Sequence, residues 1–211
     1  YEGGGAAALG SVHPQPLDFE ADGTLDLDKV AAVIKPDDYH FPPTKLLCLE
    51  NTRGGSVLPL DYLQTARRFV DERGLGLHLD GARIFNASIA LGIPVTDISR
   101  NFDSISFCLS KGLGAPVGTL LCGDKDFITE ARRWRKALGG GMRQAGIIAA
   151  AGLYALENHI ERLAEDHANA VSLARGLGDV DGIDVTNVQT NMVYIDVGDA
   201  DSHALTEFLQ Q

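Results

Sequence analysis

No run of eighteen apolar residues occurs in the sequence, so no segment reads as a transmembrane helix. Basic residues are scarce: 18 Lys and Arg stand against 29 Asp and Glu, for a net charge of −11. A nucleic-acid binder would normally present a basic face, so that class is set aside and the acidity is read as solubility. Cysteine is also sparse. Cys48, Cys108 and Cys122 are odd in number and lack CxxC spacing, which argues against a disulfide framework or a zinc site. Each lies in or beside an apolar strand-like run, so buried thiols in a reducing cytoplasm are expected. His13, His40, His159, His167 and His203 have no partner at metal-ligand spacing, and no metal is expected. No signal peptide opens the chain. An initiator Met is missing before Tyr1-Glu2-Gly3, and residues 204–211 end inside a helix-like segment. Both ends are therefore expected to be cuts from a longer protein.

What is present is ordinary globular composition, 45% hydrophobic and 22% charged, in 211 residues. That is enough for one core plus a fragment of another. Leu27, Val30, Ala31 and Ile34 follow helical spacing, and Pro36 stops them. Residues 45–50 (KLLCLE) read as a strand, and Pro59 leads into a helix bearing Leu60, Leu63, Ala66, Phe69 and Val70 on one face. Strands are expected at 75–79, 103–109 and 118–122, and a short helix at 82–91. Helices follow at 125–137, 142–157 and 159–175. The middle one is apolar on nearly every side and is expected to be buried. After Gly176 the segments 183–185 and 192–197 alternate like half-exposed strands, and Ser202 opens a last helix. The fold class expected is α/β, a mostly parallel sheet with helices on both faces. Residues 1–157 would form the large domain. Residues 158–211 would hold a linker helix and the start of a small α+β domain. No internal repeat or low-complexity segment is visible.

Two residues stand out. Asp80 closes one apolar strand, and Lys111 follows another, inside Leu109-Ser110-Lys111-Gly112-Leu113-Gly114. In open α/β sheets, ligands sit beyond the carboxyl ends of strands. An aldehyde cofactor such as pyridoxal phosphate needs a lysine amine for a Schiff base and a carboxylate to keep its pyridine nitrogen protonated. Asp80 could equally cap the helix expected at Ala82, and Lys111 could simply be solvated. Arg83, three residues after Asp80, could grip a substrate carboxylate or form a surface salt bridge. Residues 134–143 (WRKALGGGMR) make a basic, glycine-rich link, either a phosphate contact at a helix N-terminus or an ordinary loop. His78 faces the same side of its strand as Asp80 and is expected to pack behind the site.

The motifs LENT at 49–52, HLDGARIFNA at 78–87, CLSKGLGAPVG at 108–118 and WRKALGGGMRQAGIIAAAGLYAL at 134–156 resemble the low-specificity L-threonine aldolases. QTNMVY at 189–194 resembles that family's entry into its small domain. The resemblance implies the aspartate-aminotransferase fold, fold type I of the pyridoxal-phosphate enzymes, over essentially the whole chain. It implies that Lys111 binds the cofactor covalently and that Asp80 pairs with the ring nitrogen. Arg83 would lie near the cofactor hydroxyl and the substrate carboxylate. Lys136 and Arg143 would face the cofactor phosphate across a subunit boundary. It further implies cleavage of a β-hydroxy-α-amino acid, threonine or allo-threonine, to glycine and acetaldehyde by a cytoplasmic homotetramer or homodimer.

The sequence departs from the family in one visible place. The histidine that follows Glu-Asn-Thr in the family is Arg53 here, followed by Gly54. The family's ring-stacking histidine and Gly-Thr phosphate loop would precede Tyr1, and a second carboxylate-binding arginine would follow Gln211. These 211 residues alone are expected to bind cofactor weakly and turn over little; within a longer protein, an ordinary aldolase is expected. The alternatives are another pyridoxal-phosphate β-eliminating lyase, or a fragment that keeps only the fold.

Overall fold

The computed structural model describes residues 2–186, 188–198 and 202–210. A 3-10 turn, Glu2–Gly4, leads into a short helix α1, Gly5–Gly10. Helix α2 spans Leu27–Val33 and is capped by Asp26, whose carboxylate accepts from the Asp28 and Lys29 amides. Then come β1 (Leu46–Glu50), α3 (Leu60–Asp71), β2 (Gly76–Asp80), α4 (Ile84–Leu91), α5 (Val95–Ser99), β3 (Ser104–Cys108) and β4 (Thr119–Gly123). Helices α6 (Lys125–Ala137), α7 (Gly146–Asn158) and α8 (Leu163–Gly178) follow. The two-residue strands β5 (Asp184–Val185) and β6 (Ile195–Asp196) pair antiparallel before α9 (Ser202–Leu209).

The main sheet runs β1-β2-β3-β4. Its first three strands are parallel, and β4 returns antiparallel to β3. The α/β class and mostly parallel sheet read from the sequence are borne out. Strand alternation divides the residues cleanly. Leu47, Leu49, Leu77, Leu79 and Ile105 point to one face, where Leu63, Ala66 and Val70 of α3, Ile84 of α4 and Ile98 of α5 complete the core. Burying each such leucine contributes about 1.5–3 kcal/mol. The opposite face carries Leu46 and Cys48, both exposed, and the half-buried His78. This face is the more exposed of the two.

Several expectations are corrected. Cys48 and Cys122 are exposed and Cys108 is only partly buried, because Cys48 and Cys108 fall on the open face and every residue of β4 is exposed. Helix α7 is not buried: Ile147 is 90% exposed, Leu153 59% and Tyr154 61%. Only Gly152 and Ala155 of α7 are buried; Ala155 packs in a small cluster with Leu109, Leu113, Ala115 and Leu163. An apolar helix is covered only where other elements meet it, and the described residues meet α7 on one side. Helix α8 starts at Leu163 rather than 159, after a turn over 159–162. Helix α5 has no counterpart in the periodicity. Residues 192–197 form a strand only at Ile195–Asp196. The final helix, expected to run through Gln211, spans Ser202–Leu209; Gln211 lies outside the described residues.

Candidate active site

The parallel register sets Glu50, the last residue of β1, beside Asp80, the last residue of β2. The next strand brings in Ser106 opposite Asp80, and the β3–β4 loop beyond it carries Lys111. The Asp80 carbonyl accepts from the Asn51 amide at 2.9 Å, and its carboxylate accepts from the Ala82 amide at 3.0 Å. Asp80 is thus not the N-cap of α4. The helix begins at Ile84, its cap position is Arg83, and the Asp80 bond closes a turn ahead of it.

Lys111 is exposed in a loop that is itself firmly built. The Leu109 amide donates to the Gly118 carbonyl, Ala115 to Leu109, and Gly114 to the Lys111 carbonyl at 2.8 Å. Gly114 sits at φ +74, a backbone that a side chain would strain. Gly112 is pressed between α4 and the start of α8: a Cβ there would come within 2.8 Å of Leu163 and 3.4 Å of Asn86. Asn86 is buried and its side-chain amide lies 3.1 Å from His167 Nε2 on α8.

Electrostatics gathers these groups. Burial pushes the Glu50 carboxyl above the usual carboxylate range, and the like charge of Asp80 pushes it further. Arg53, Lys111 and Arg83 pull it back. Asp80, Arg83, Lys111 and Arg53 therefore all lie within electrostatic reach of one carboxyl. Arg83 has a buried Nε with no hydrogen-bond partner among the described residues. The fully buried Asn51 accepts from the Leu58 amide through Oδ1, while its Nδ2 is unpartnered, as is the Thr52 hydroxyl. Unpaired buried donors cost about 1–3 kcal/mol each.

Lys136, in the last turn of α6, and Arg143, ahead of α7, are both exposed. Neither is joined by a described hydrogen bond or ion pair to Asp80, Arg83 or Lys111, and neither acts on Glu50. Asp80, Arg83 and Lys111 thus share the surroundings of Glu50, while no described contact links Lys136 or Arg143 to them. Among the described residues no group of three or more His, Cys, Asp or Glu is arranged to hold a metal ion.

Arg53, the departure after Glu-Asn-Thr, lies with its guanidinium over the Phe19 ring, 4.3 Å from the centroid. Its loop is held from far along the chain. Gln189 accepts from the Val57 amide at 2.8 Å, and the Thr190 hydroxyl donates to the Gly55 carbonyl at 2.6 Å. The QTNMVY motif carries no local signal for its docking on residues 51–57, a partner so distant in sequence.

His78 Nδ1 lies 2.8 Å from the Ser104 hydroxyl, behind the carboxylates. Burial holds its pKa below the ordinary value, against the pull of Asp80. A base harder to protonate when folded keeps its stabilisation above its unfolded pKa, about 6.5, and loses it as pH falls below. Burial lowers His167 in the same direction. Between pH 7.5 and 5.5 the thermal midpoint should fall, and should fall less in His78→Gln. An equal fall in both proteins would deny His78 that contribution.

The family described as Beta-eliminating lyase matches residues 1–200. The low specificity L-threonine aldolase of Escherichia coli strain K12 is 57% identical over 210 residues, covering 100% of this chain and 63% of that protein. The low-specificity L-threonine aldolase 1 of Arabidopsis thaliana is 46% identical over 206 residues, covering 94% of this chain and 58% of the relative. A solved Listeria monocytogenes EGD-E structure superposes with a TM-score of 0.79 at 26% identity, over 92% of this chain and 54% of that one. The chain thus spans somewhat under two thirds of the relatives it matches, and the resemblance carried by its motifs is borne out. With its model matched from residue 1 to residue 200 around this cluster of Asp80, Arg83 and Lys111, the chain belongs to the beta-eliminating lyase family.

Proposed function

We propose that this chain carries most of the cofactor site of a pyridoxal-phosphate-dependent aldolase that cleaves β-hydroxy-α-amino acids, threonine or allo-threonine, to glycine and acetaldehyde. The observation that carries this reading is the meeting of Asp80, Arg83 and Lys111 around Glu50 at adjacent strand ends. The relatives' names supply the substrate class.

The residues present fit the cofactor. Lys111 offers an exposed amine for its aldehyde, and Asp80 a carboxylate for its ring nitrogen. The unpartnered Arg83 Nε suits an anionic group, a substrate carboxylate or the ring hydroxyl. When bound, pyridoxal phosphate supplies an electron sink for the cleaved Cα–Cβ bond. Asp80 would pair with the ring nitrogen and favour its protonation. Arg83 would orient the substrate by gripping its carboxylate. Arg53 is a permanent cation and cannot take the β-hydroxyl proton, so that proton passes to water or to another side chain.

We assign residues 1–157 to the cofactor-binding domain and 158–211 to a linker helix and the beginning of a small domain. We infer a homodimer or homotetramer, for which the exposed apolar residues Trp134, Met142, Ile147 and Tyr154 offer a surface. Lys136 and Arg143 border that surface and are assigned to a cofactor phosphate across it. No described helix is long and apolar enough to cross a membrane. We place the protein in the cytoplasm, as the family resemblance of its motifs implies.

The second reading, a different β-eliminating lyase on the same site, is favoured by Arg53 in place of the family histidine. Product analysis separates them. Full-length protein given cofactor and L-threonine should release glycine and acetaldehyde in equal amounts. Ammonia with a keto acid would replace the aldolase reading by the lyase one.

A further inference from the structure

The loop that bears Lys111 is held from the end of α7 by a residue with no assigned role. His159 closes α7 and places Nδ1 2.6 Å from the carbonyl of Leu113, two residues after Lys111. A carbonyl only accepts, so Nδ1 must carry the hydrogen and donate. That hydrogen is present in both the neutral Nδ1–H tautomer and the imidazolium, so the bond survives protonation at Nε2. The ring is oriented by an edge-to-face contact with Tyr154, centroids 5.4 Å apart and planes at 84°. It also lies against Gly114, where a Cβ would be 3.6 Å from Nδ1. Leu113 itself is buried in a cluster with Ala155 and Leu163, so its carbonyl cannot easily turn to water.

On the other side, Gly112 is pinched by Leu163 and Asn86. The residues immediately after Lys111 are therefore fixed from two directions, and the bond from Gly114 to the Lys111 carbonyl passes that constraint to the lysine backbone. An exposed lysine has four freely turning side-chain bonds, so the place of its amine depends on a rigid backbone beneath it.

We propose that His159 is a positioning residue for Lys111: its Nδ1–H, donated to the Leu113 carbonyl, fixes the loop from which the amine reaches the cofactor. This rests on the aldolase reading for its consequence but not for its geometry. The test uses three full-length proteins: wild type, His159→Phe and His159→Asn. Phe keeps the contact with Tyr154 and loses the donor. Asn can donate from Nδ2 at nearly the reach of Nδ1.

In the cofactor-free proteins, amide exchange of residues 111–115 should speed about tenfold in His159→Phe and return toward wild type in His159→Asn. With pyridoxal phosphate bound, His159→Phe should lower kcat about tenfold with KM little changed, and should shift the pH midpoint of the visible band. His159→Asn should restore both. A Phe variant that only melts earlier, with loop exchange and band midpoint as in wild type, would overturn the proposal and leave His159 a packing residue. If wild type shows no Lys111-dependent band, the aldolase reading fails instead. The exchange measurement, made without cofactor, then still decides whether His159 clamps the loop.

Discussion

Lys111→Ala removes the visible absorbance of cofactor-saturated full-length protein and lowers turnover more than about 10³-fold, the scale on which a covalent or proton-transferring group is missed. The change is confined to chemistry. Lys111 is exposed and its side chain makes no described hydrogen bond or ion pair, while the loop's bonds run through backbone atoms that alanine keeps. The circular dichroism spectrum and thermal midpoint of the cofactor-free proteins should therefore match, within the roughly 0.5 kcal/mol typical of surface changes. Borohydride reduction followed by mass analysis should find cofactor on Lys111 in wild type and on no lysine in the variant. Persistence of the band in the variant would exclude Lys111 as the anchor.

Asp80→Asn should cost about 10²–10³-fold in kcat, as removal of one preorganised charge at a reacting centre does. Asparagine keeps an oxygen that can accept from the Ala82 amide, and the Asp80 carbonyl still receives Asn51, so the turn stays closed. What goes is the negative charge that, in the proposed site, would favour a proton on the ring nitrogen. The same charge is one of the two causes that raise Glu50. Asp80→Asn should thus let the Glu50 carboxyl fall back toward the ordinary range, a shift carbon-13 titration would follow. A turnover within threefold of wild type would show that the carboxylate is not needed for electron withdrawal.

The sequence was most informative where local pattern and local chemistry coincide. The strands at 46–50, 76–80 and 104–108 end within a residue of where alternation and turn residues place them. Their parallel order then puts Asp80 and the Lys111 loop at neighbouring exits, as the bare spacing suggested. It was least informative where a residue's environment is set by a distant segment. Periodicity marks α7 as apolar but does not say what lies against it, and Ile147 and Tyr154 are exposed. The alternation that hides Leu47 and Leu49 also exposes Cys48. His159 carries no signature of its own, because its partner is a backbone carbonyl 46 residues away. Arg53 was visible as a departure, yet its place over Phe19 could not be read from either residue.

The docking of Gln189 and Thr190 on the loop after β1 bears on how the protein is born. Thr190 and Gly55 are 135 residues apart. At ribosomal rates of about 5–20 residues per second, the nascent chain waits roughly 7–27 seconds between making the loop and making the segment that closes over it. During that interval the Gly55 carbonyl and the Val57 amide are without the partners they end with. A folding nascent chain would show the sheet protected first and residues 51–57 last.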